Sequence, residues 1–116
     1  MPRVLEIQLG SAGDALDRFE AAWNRAAEGR APKTLRLLTL ENLPLLLKTL
    51  SPARFELLRV LRETGPLSIY QLAKRLGRDY KNVHTDVTQL IALGLITKID
   101  NGVAVPWDLL RAELVL

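Results

Sequence analysis

The chain has 116 residues, of which 48% are hydrophobic and 25% charged, with no cysteine and a formal net charge of +3. That length suits a single folded unit with a real core, and the composition is globular, neither disordered nor fibrous. Without cysteine there is no disulfide framework and no thiolate nucleophile or ligand, which fits a reducing compartment such as the cytoplasm, and no run approaches the roughly 20 apolar residues of a membrane span.

In chain order, Val4 to Leu9 alternates as a strand does, with Leu5, Ile7 and Leu9 on one face and Val4, Glu6 and Gln8 on the other. Ser11 and Asp14 stand at capping-box spacing before a helical stripe of Leu16, Phe19, Ala22, Trp23, Ala26 and Ala27 that runs out at Gly29. Beyond the break Arg30-Ala31-Pro32, Thr34 to Thr39 predicts a second strand, parallel to the first if the crossover is right-handed. A short helix should run from Glu41 or Asn42 to Leu50, because Pro44 is tolerated only in a first turn. Its residues Leu43, Leu45, Leu46, Leu47 and Leu50 surround more than one face, which fits either a helix enclosed in its own chain or a seam between two copies. Enclosure is the commoner arrangement. Residues 1–50 thus read as a small β-α-β unit with an appended helix, a region suited to dimerisation or partner binding.

Residues 51–116 carry the stronger signals. Ser51-Pro52 is a capped helix entrance with proline at the first helical position, followed by Phe55, Leu57, Leu58, Val60 and Leu61 and stopped at Thr64-Gly65-Pro66. Ser68 and Gln71 form a second capping-box pair, after which Ile69, Leu72, Ala73 and Leu76 recur at helical intervals up to Gly77. Asp79 can cap a third helix whose stripe of Tyr80, Val83, Val87, Leu90 and Ile91 should be buried. Gly94 ends that helix, Leu95 to Ile99 has strand composition, and Asp100-Asn101-Gly102 is a hairpin signal before the return strand Val103 to Val105. The tail PWDLLRAELVL admits either a short helix around Trp107, Leu109 and Leu110 or an edge strand over Glu113 to Leu116. Three helices and a hairpin in this order predict an α+β fold in which a winged helix-turn-helix domain follows the β-α-β unit.

Between Gln71 and Lys98 the cations Lys74, Arg75, Arg78, Lys81 and Lys98 face only two carboxylates, Asp79 and Asp86, so this segment holds most of the chain's positive excess. A cluster of this kind is usually a solvated helix face. Its coincidence with the turn and the third helix shifts the expectation toward phosphate contact. The outward residues Lys81, Asn82, His84, Thr85, Thr88 and Gln89 all make hydrogen bonds and suit base edges in a major groove. Asn82, or failing that Gln89, is the natural adenine reader; Lys81 suits guanine or phosphate, and Thr85 and Thr88 suit a thymine methyl or a backbone oxygen. Lys74, Arg75 and Arg78 belong to the turn, where cations position a protein on phosphates, and Lys98, Asn101 and Gly102 lie in the hairpin. An enzyme is not expected. The single histidine, His84, has no second histidine or cysteine for a zinc site and no carboxylate partner at helical spacing, and no glycine-rich phosphate loop occurs, so neither metal nor cofactor is implied.

The stretch SPARFELLRVLRETGPLSIYQLAKRLGRDYKNVHTDVTQLIALGLI resembles the core of small prokaryotic winged helix-turn-helix regulators of the broad MarR type. Within it LAKRLGRDYKNVHTDVTQLIALGLI is similar to a subgroup in which a strand-helix lead precedes the winged domain. The resemblance implies a homodimeric repressor of double-stranded DNA, and by analogy an antitoxin and autorepressor paired with a cognate toxin. It places Lys81, Asn82, His84 and Thr85 on the recognition helix, Arg78 on its approach and Lys98 to Gly102 on the wing. Met1 to Leu50 matches no motif of the group. The competing expectation is a winged-helix module that serves protein interaction without touching nucleic acid.

Overall fold

Strand β1 (Arg3–Leu9) is the centre of a three-stranded sheet, flanked by β2 (Thr34–Leu40) and β5 (Leu109–Ala112), both parallel to it. The computed structural model describes residues 2–9 and 34–113; the helix expected between Ser11 and Gly29 lies outside them. The described elements make an α+β chain of four helices, a three-stranded sheet and a two-stranded hairpin, dividing into two compact units where the length suggested one. Met1–Lys48 with Trp107–Leu116 forms one, and Thr49–Pro106 the other. No helix among the described residues is long and apolar enough to cross a membrane.

In the first unit the alternation of β1 does not produce one wet face. Val4, Leu5 and Ile7 are buried, and so are Glu6 and Gln8. A central parallel strand is covered on both sides, so its polar residues need partners rather than solvent. Glu6 finds one in its register neighbour Arg111, whose Nη1 donates at 3.4 Å. The tail, left open between helix and strand by its sequence, is a strand over Leu109–Ala112, earlier than the expected Glu113 to Leu116. Its entry is fixed by a reciprocal pair of bonds: the Arg3 amide donates to Asp108 Oδ2 at 2.7 Å, and the Asp108 amide donates to the Arg3 carbonyl at 2.8 Å. The Arg3 guanidinium also lies 5.5 Å from the centroid of the buried Trp107 ring. The tail therefore belongs with β1, although the sequence grouped it with residues 51–106.

Helix α1 (Leu43–Thr49) starts as expected, with Asn42 accepting from the Leu45 amide and Pro44 in the first turn. The expected enclosure is not seen among the described residues. Of its side chains only Thr49 is buried, and Leu43, Leu45 and Leu47 are exposed. A helix of two turns can offer one stripe to one neighbour, so a leucine set spread around the axis leaves several outside.

The second unit is built from helices α2 (Pro52–Thr64), α3 (Ile69–Leu76) and α4 (Tyr80–Ala92) and the antiparallel hairpin β3 (Thr97–Ile99) and β4 (Gly102–Ala104). Ser51 and Asp79 cap α2 and α4 by accepting from the amides of Arg54 and Asn82. At α3 both bonds of the capping box form, each at 3.1 Å: the Gln71 amide donates to Ser68 Oγ and the Ser68 amide donates to Gln71 Oε1. Gly77 ends this helix at φ 65°, a left-handed conformation that glycine adopts without penalty. Leu57, Leu58 and Leu61 of α2 are buried, as are Leu72 and Ala73 of α3, Val83, Val87 and Leu90 of α4, and Leu95, Ile96 and Val103 around the hairpin. Each of the Leu, Ile and Val side chains is worth about 1.5–3 kcal/mol relative to exposure, so this core fixes the outward face of α4. Because the capping box holds both donors at the entrance of α3, Ser68→Ala is expected to cost about 1 kcal/mol. Thermal unfolding should show a Tm lower by roughly 4–8 °C. A Ser68→Ala protein melting with the native chain would remove the box from its role.

Candidate nucleic-acid interface

Helix α4 is two-sided because its apolar residues repeat at helical spacing. Val83, Val87 and Leu90 are fully buried, while Lys81, Asn82, His84, Thr85, Thr88 and Gln89 are all exposed. The Thr85 hydroxyl donates to the Lys81 carbonyl at 3.1 Å, which spends its proton inside the helix and leaves its methyl group and oxygen lone pairs outward. Asn82 carries no side-chain bond among the described residues, so its amide keeps the donor and acceptor pair that a bidentate adenine contact requires.

Tyr80 departs from the expected buried stripe. Its ring is half exposed, tilted against His84 at 5.9 Å between centroids. It occupies the first turn of α4, beyond the stretch in which Val83, Val87 and Leu90 supply the inner face. Phe55 of α2 is likewise 49% exposed, not core, and Ile69, Leu76 and Ile91 are only half-buried.

The cations divide into two groups. Lys74, Arg75, Lys81 and Lys98 are exposed, and no ion pair engages them among the described residues; the Lys74 ammonium rests 5.4 Å from the Tyr70 ring centroid. Arg78, expected to approach DNA with them, is instead half-buried and donates from Nη2 to Asp86 Oδ2 at 2.8 Å. Asp86 has a second partner that the sequence did not reveal. Arg54 of α2 donates from Nε to Asp86 Oδ1 at 3.1 Å, from Nη1 to the Thr49 carbonyl at 3.3 Å, and from Nη2 to Gln89 Oε1. Gln89 therefore stays exposed but has its oxygen occupied, which makes it a poorer adenine reader than Asn82. The only advance sign of this network was the helical spacing that puts Asp86 and Gln89 on one flank of α4. Arg54 lies 32 residues from Asp86, and no local pattern announces such a pairing.

In the hairpin, Lys98, Asp100 and Asn101 are exposed, and Leu67 bridges to Val103 to tie β4 to the residue before the α3 cap. Ile99 pairs with Gly102, so the turn is Asp100-Asn101. No non-glycine residue described has a positive φ, so the turn does not use the left-handed conformations that an Asn-Gly hairpin usually exploits. No group of three His, Cys, Asp or Glu side chains that could hold a metal occurs among the described residues.

By its fold this is an α+β chain whose second unit carries a polar, partly basic helix face. It belongs to the HVO_A0114 family, whose sequence profile matches residues 49–112, more than half of the chain. The matched segment holds all of α2, α3, α4 and the hairpin and continues into β5. No curated protein and no solved structure matches the chain.

Proposed function

We propose that the protein is a sequence-specific regulator of double-stranded DNA, in which the second unit works as a winged helix-turn-helix of the broad MarR type. Helix α4 is then the recognition helix and the β3–β4 hairpin the wing. The observation that carries this reading is the face of α4: six hydrogen-bonding side chains are exposed together while the opposite side is buried, and unpaired cations lie beside them on α3 and α4. Asn82 is the leading base reader, with His84, Thr85 and Thr88 alongside, and Lys74, Arg75, Lys81 and Lys98 bind phosphates. Two copies would set their α4 helices about 34 Å apart in successive major grooves of a palindrome, acting as a repressor in the cytoplasm.

The test is fluorescence anisotropy of a labelled duplex from immediately upstream of the gene, titrated against unrelated competitor DNA at low and near-physiological salt. Specific binding that weakens as salt rises is expected. Asn82→Ala should relax preference at one or two base positions by about 1–3 kcal/mol and leave the salt dependence unchanged. A footprint unaltered by Asn82→Ala would take that residue out of base reading. The second reading, a protein-interaction module, is favoured by the exposed Leu43, Leu45 and Leu47 of α1. Absence of DNA binding at either salt would select it.

A further inference from the structure

Asp86 is the acidic residue set among the exposed polar side chains of α4, and both of its oxygens are taken by guanidinium donors. A carboxylate offers a guanidinium the same paired acceptors as a phosphate does. We propose that Asp86 limits sequence-independent binding: it occupies Arg78 in place of phosphate, and so withholds a strong backbone ligand from DNA of any sequence. This inference rests on the DNA-binding reading above.

The two arginines are held differently. Arg54 has three acceptors, Asp86, the Thr49 carbonyl and Gln89, and its side chain is only 16% exposed. It stays anchored when one is lost. Arg78 is bound through Nη2 to Asp86 alone among the described residues, its Nη1 is buried without a partner, and its side chain is 29% exposed on the turn that leads into α4. Asp86→Asn removes the charge and keeps one acceptor oxygen for two guanidiniums; with no second acceptor among the described residues, Arg78 is left weakly held at a site where its Nη1 is already unsatisfied. The last turn of α3, just before it in the chain, already bears the exposed cations Lys74 and Arg75, so a released Arg78 joins the phosphate-binding side. Non-specific binding is the neutralisation of phosphates, and each one neutralised steepens the salt dependence of log K by about 0.9. Base contacts are unchanged by this release, so affinity rises by the same factor on specific and on non-specific DNA.

The experiment uses the full chain with two labelled duplexes, the upstream sequence and a scrambled one of equal length, across a salt series. Asp86→Asn is expected to bind both duplexes more tightly than the native protein does, with a slope steeper by about 0.9 on each. Arg78→Gln added to Asp86→Asn should return the slope to its native value. A folded Asp86→Asn protein whose slope is unchanged or shallower overturns the proposal, because a purely structural clamp would only weaken both duplexes. Should Asp86→Asn fail to fold by circular dichroism, Arg78→Gln alone decides: a native slope supports withholding, and a slope shallower by about 0.9 shows that Arg78 already touches phosphate and overturns it. If the native protein binds neither duplex, the DNA-binding reading itself has failed, an outcome distinct from native binding with an unaltered Asp86→Asn slope.

Discussion

Gly102→Ala is expected to destabilise the second unit by about 3–5 kcal/mol and to lower its Tm by at least about 12 °C, more than replacement of Gly77 does. The new Cβ would lie 2.3 Å from the Leu67 carbonyl oxygen and 2.6 Å from its carbon, with the Ser68 nitrogen at 3.0 Å. These are backbone atoms, and they cannot rotate away as a side chain would. Leu67 is held on one side by the bridge to Val103, through amide-to-carbonyl bonds of 3.2 and 2.8 Å, and on the other by the capping box that begins at Ser68. Relief therefore requires the hairpin to move off Leu67 and to give up those two bonds, each worth about 1 kcal/mol, on top of the 1–3 kcal/mol usual for overpacking. Gly77→Ala is the informative contrast. At Gly77 a Cβ would meet nothing within 4 Å, but φ is 65°, so the cost is backbone strain alone, about 1–2 kcal/mol. Thermal unfolding of the two variants side by side should rank Gly102→Ala well below Gly77→Ala. Equal melting would mean that the Leu67 backbone yields.

The glycine at 102 also illustrates where sequence reading stops. Asp100-Asn101-Gly102 predicts a hairpin from turn chemistry, and the hairpin is there, but Gly102 is needed for the close approach of Leu67 and not for a left-handed turn. Signals completed within a few residues were readable in advance: the caps Ser51, Ser68 with Gln71, and Asp79, the stop at Gly77, and the inner face of Val83, Val87 and Leu90. The parallel pairing of β1 with β2 followed from the period of each strand and a long connection between them. Features set by distant partners were not readable. Leu109–Ala112 has no period-2 pattern of its own and is a strand because β1 pairs with it. Tyr80 fits the helical stripe on the wheel but lies at the helix end, where periodicity does not say whether a neighbour extends far enough to cover it. Arg78 and Gln89 looked like free contact residues because exposure was inferred from one helix at a time, whereas Asp86 and Arg54 engage them from elsewhere in the unit.

The division of the cations that follows from that network sets the largest expected effect on binding. Replacing Lys74, Arg75 and Lys81 together by alanine should abolish most affinity for DNA while leaving the fold intact. All three are exposed and none is ion-paired among the described residues, so the stability change should stay within about 0.5 kcal/mol for each site. If each neutralises one phosphate, the slope of log K against log salt becomes shallower by about 2.7. Counterion release contributes nothing at 1 M salt, so at 0.1 M the same three contacts amount to roughly 500-fold in affinity. Lys74 sets the lower edge of this range, because its ammonium already rests against the Tyr70 ring, an attraction of about 0.5–1 kcal/mol that phosphate binding must replace. Arg75 and Lys81 have no such competitor, and a slope change between about 2 and 3 is expected. The effect should be equal on the upstream duplex and on a scrambled one, in contrast to Asn82→Ala, which acts on one or two base positions and not on the slope. A folded triple variant with native affinity and native slope would place the phosphate backbone elsewhere on the molecule and leave the polar face of α4 without its role in groove reading.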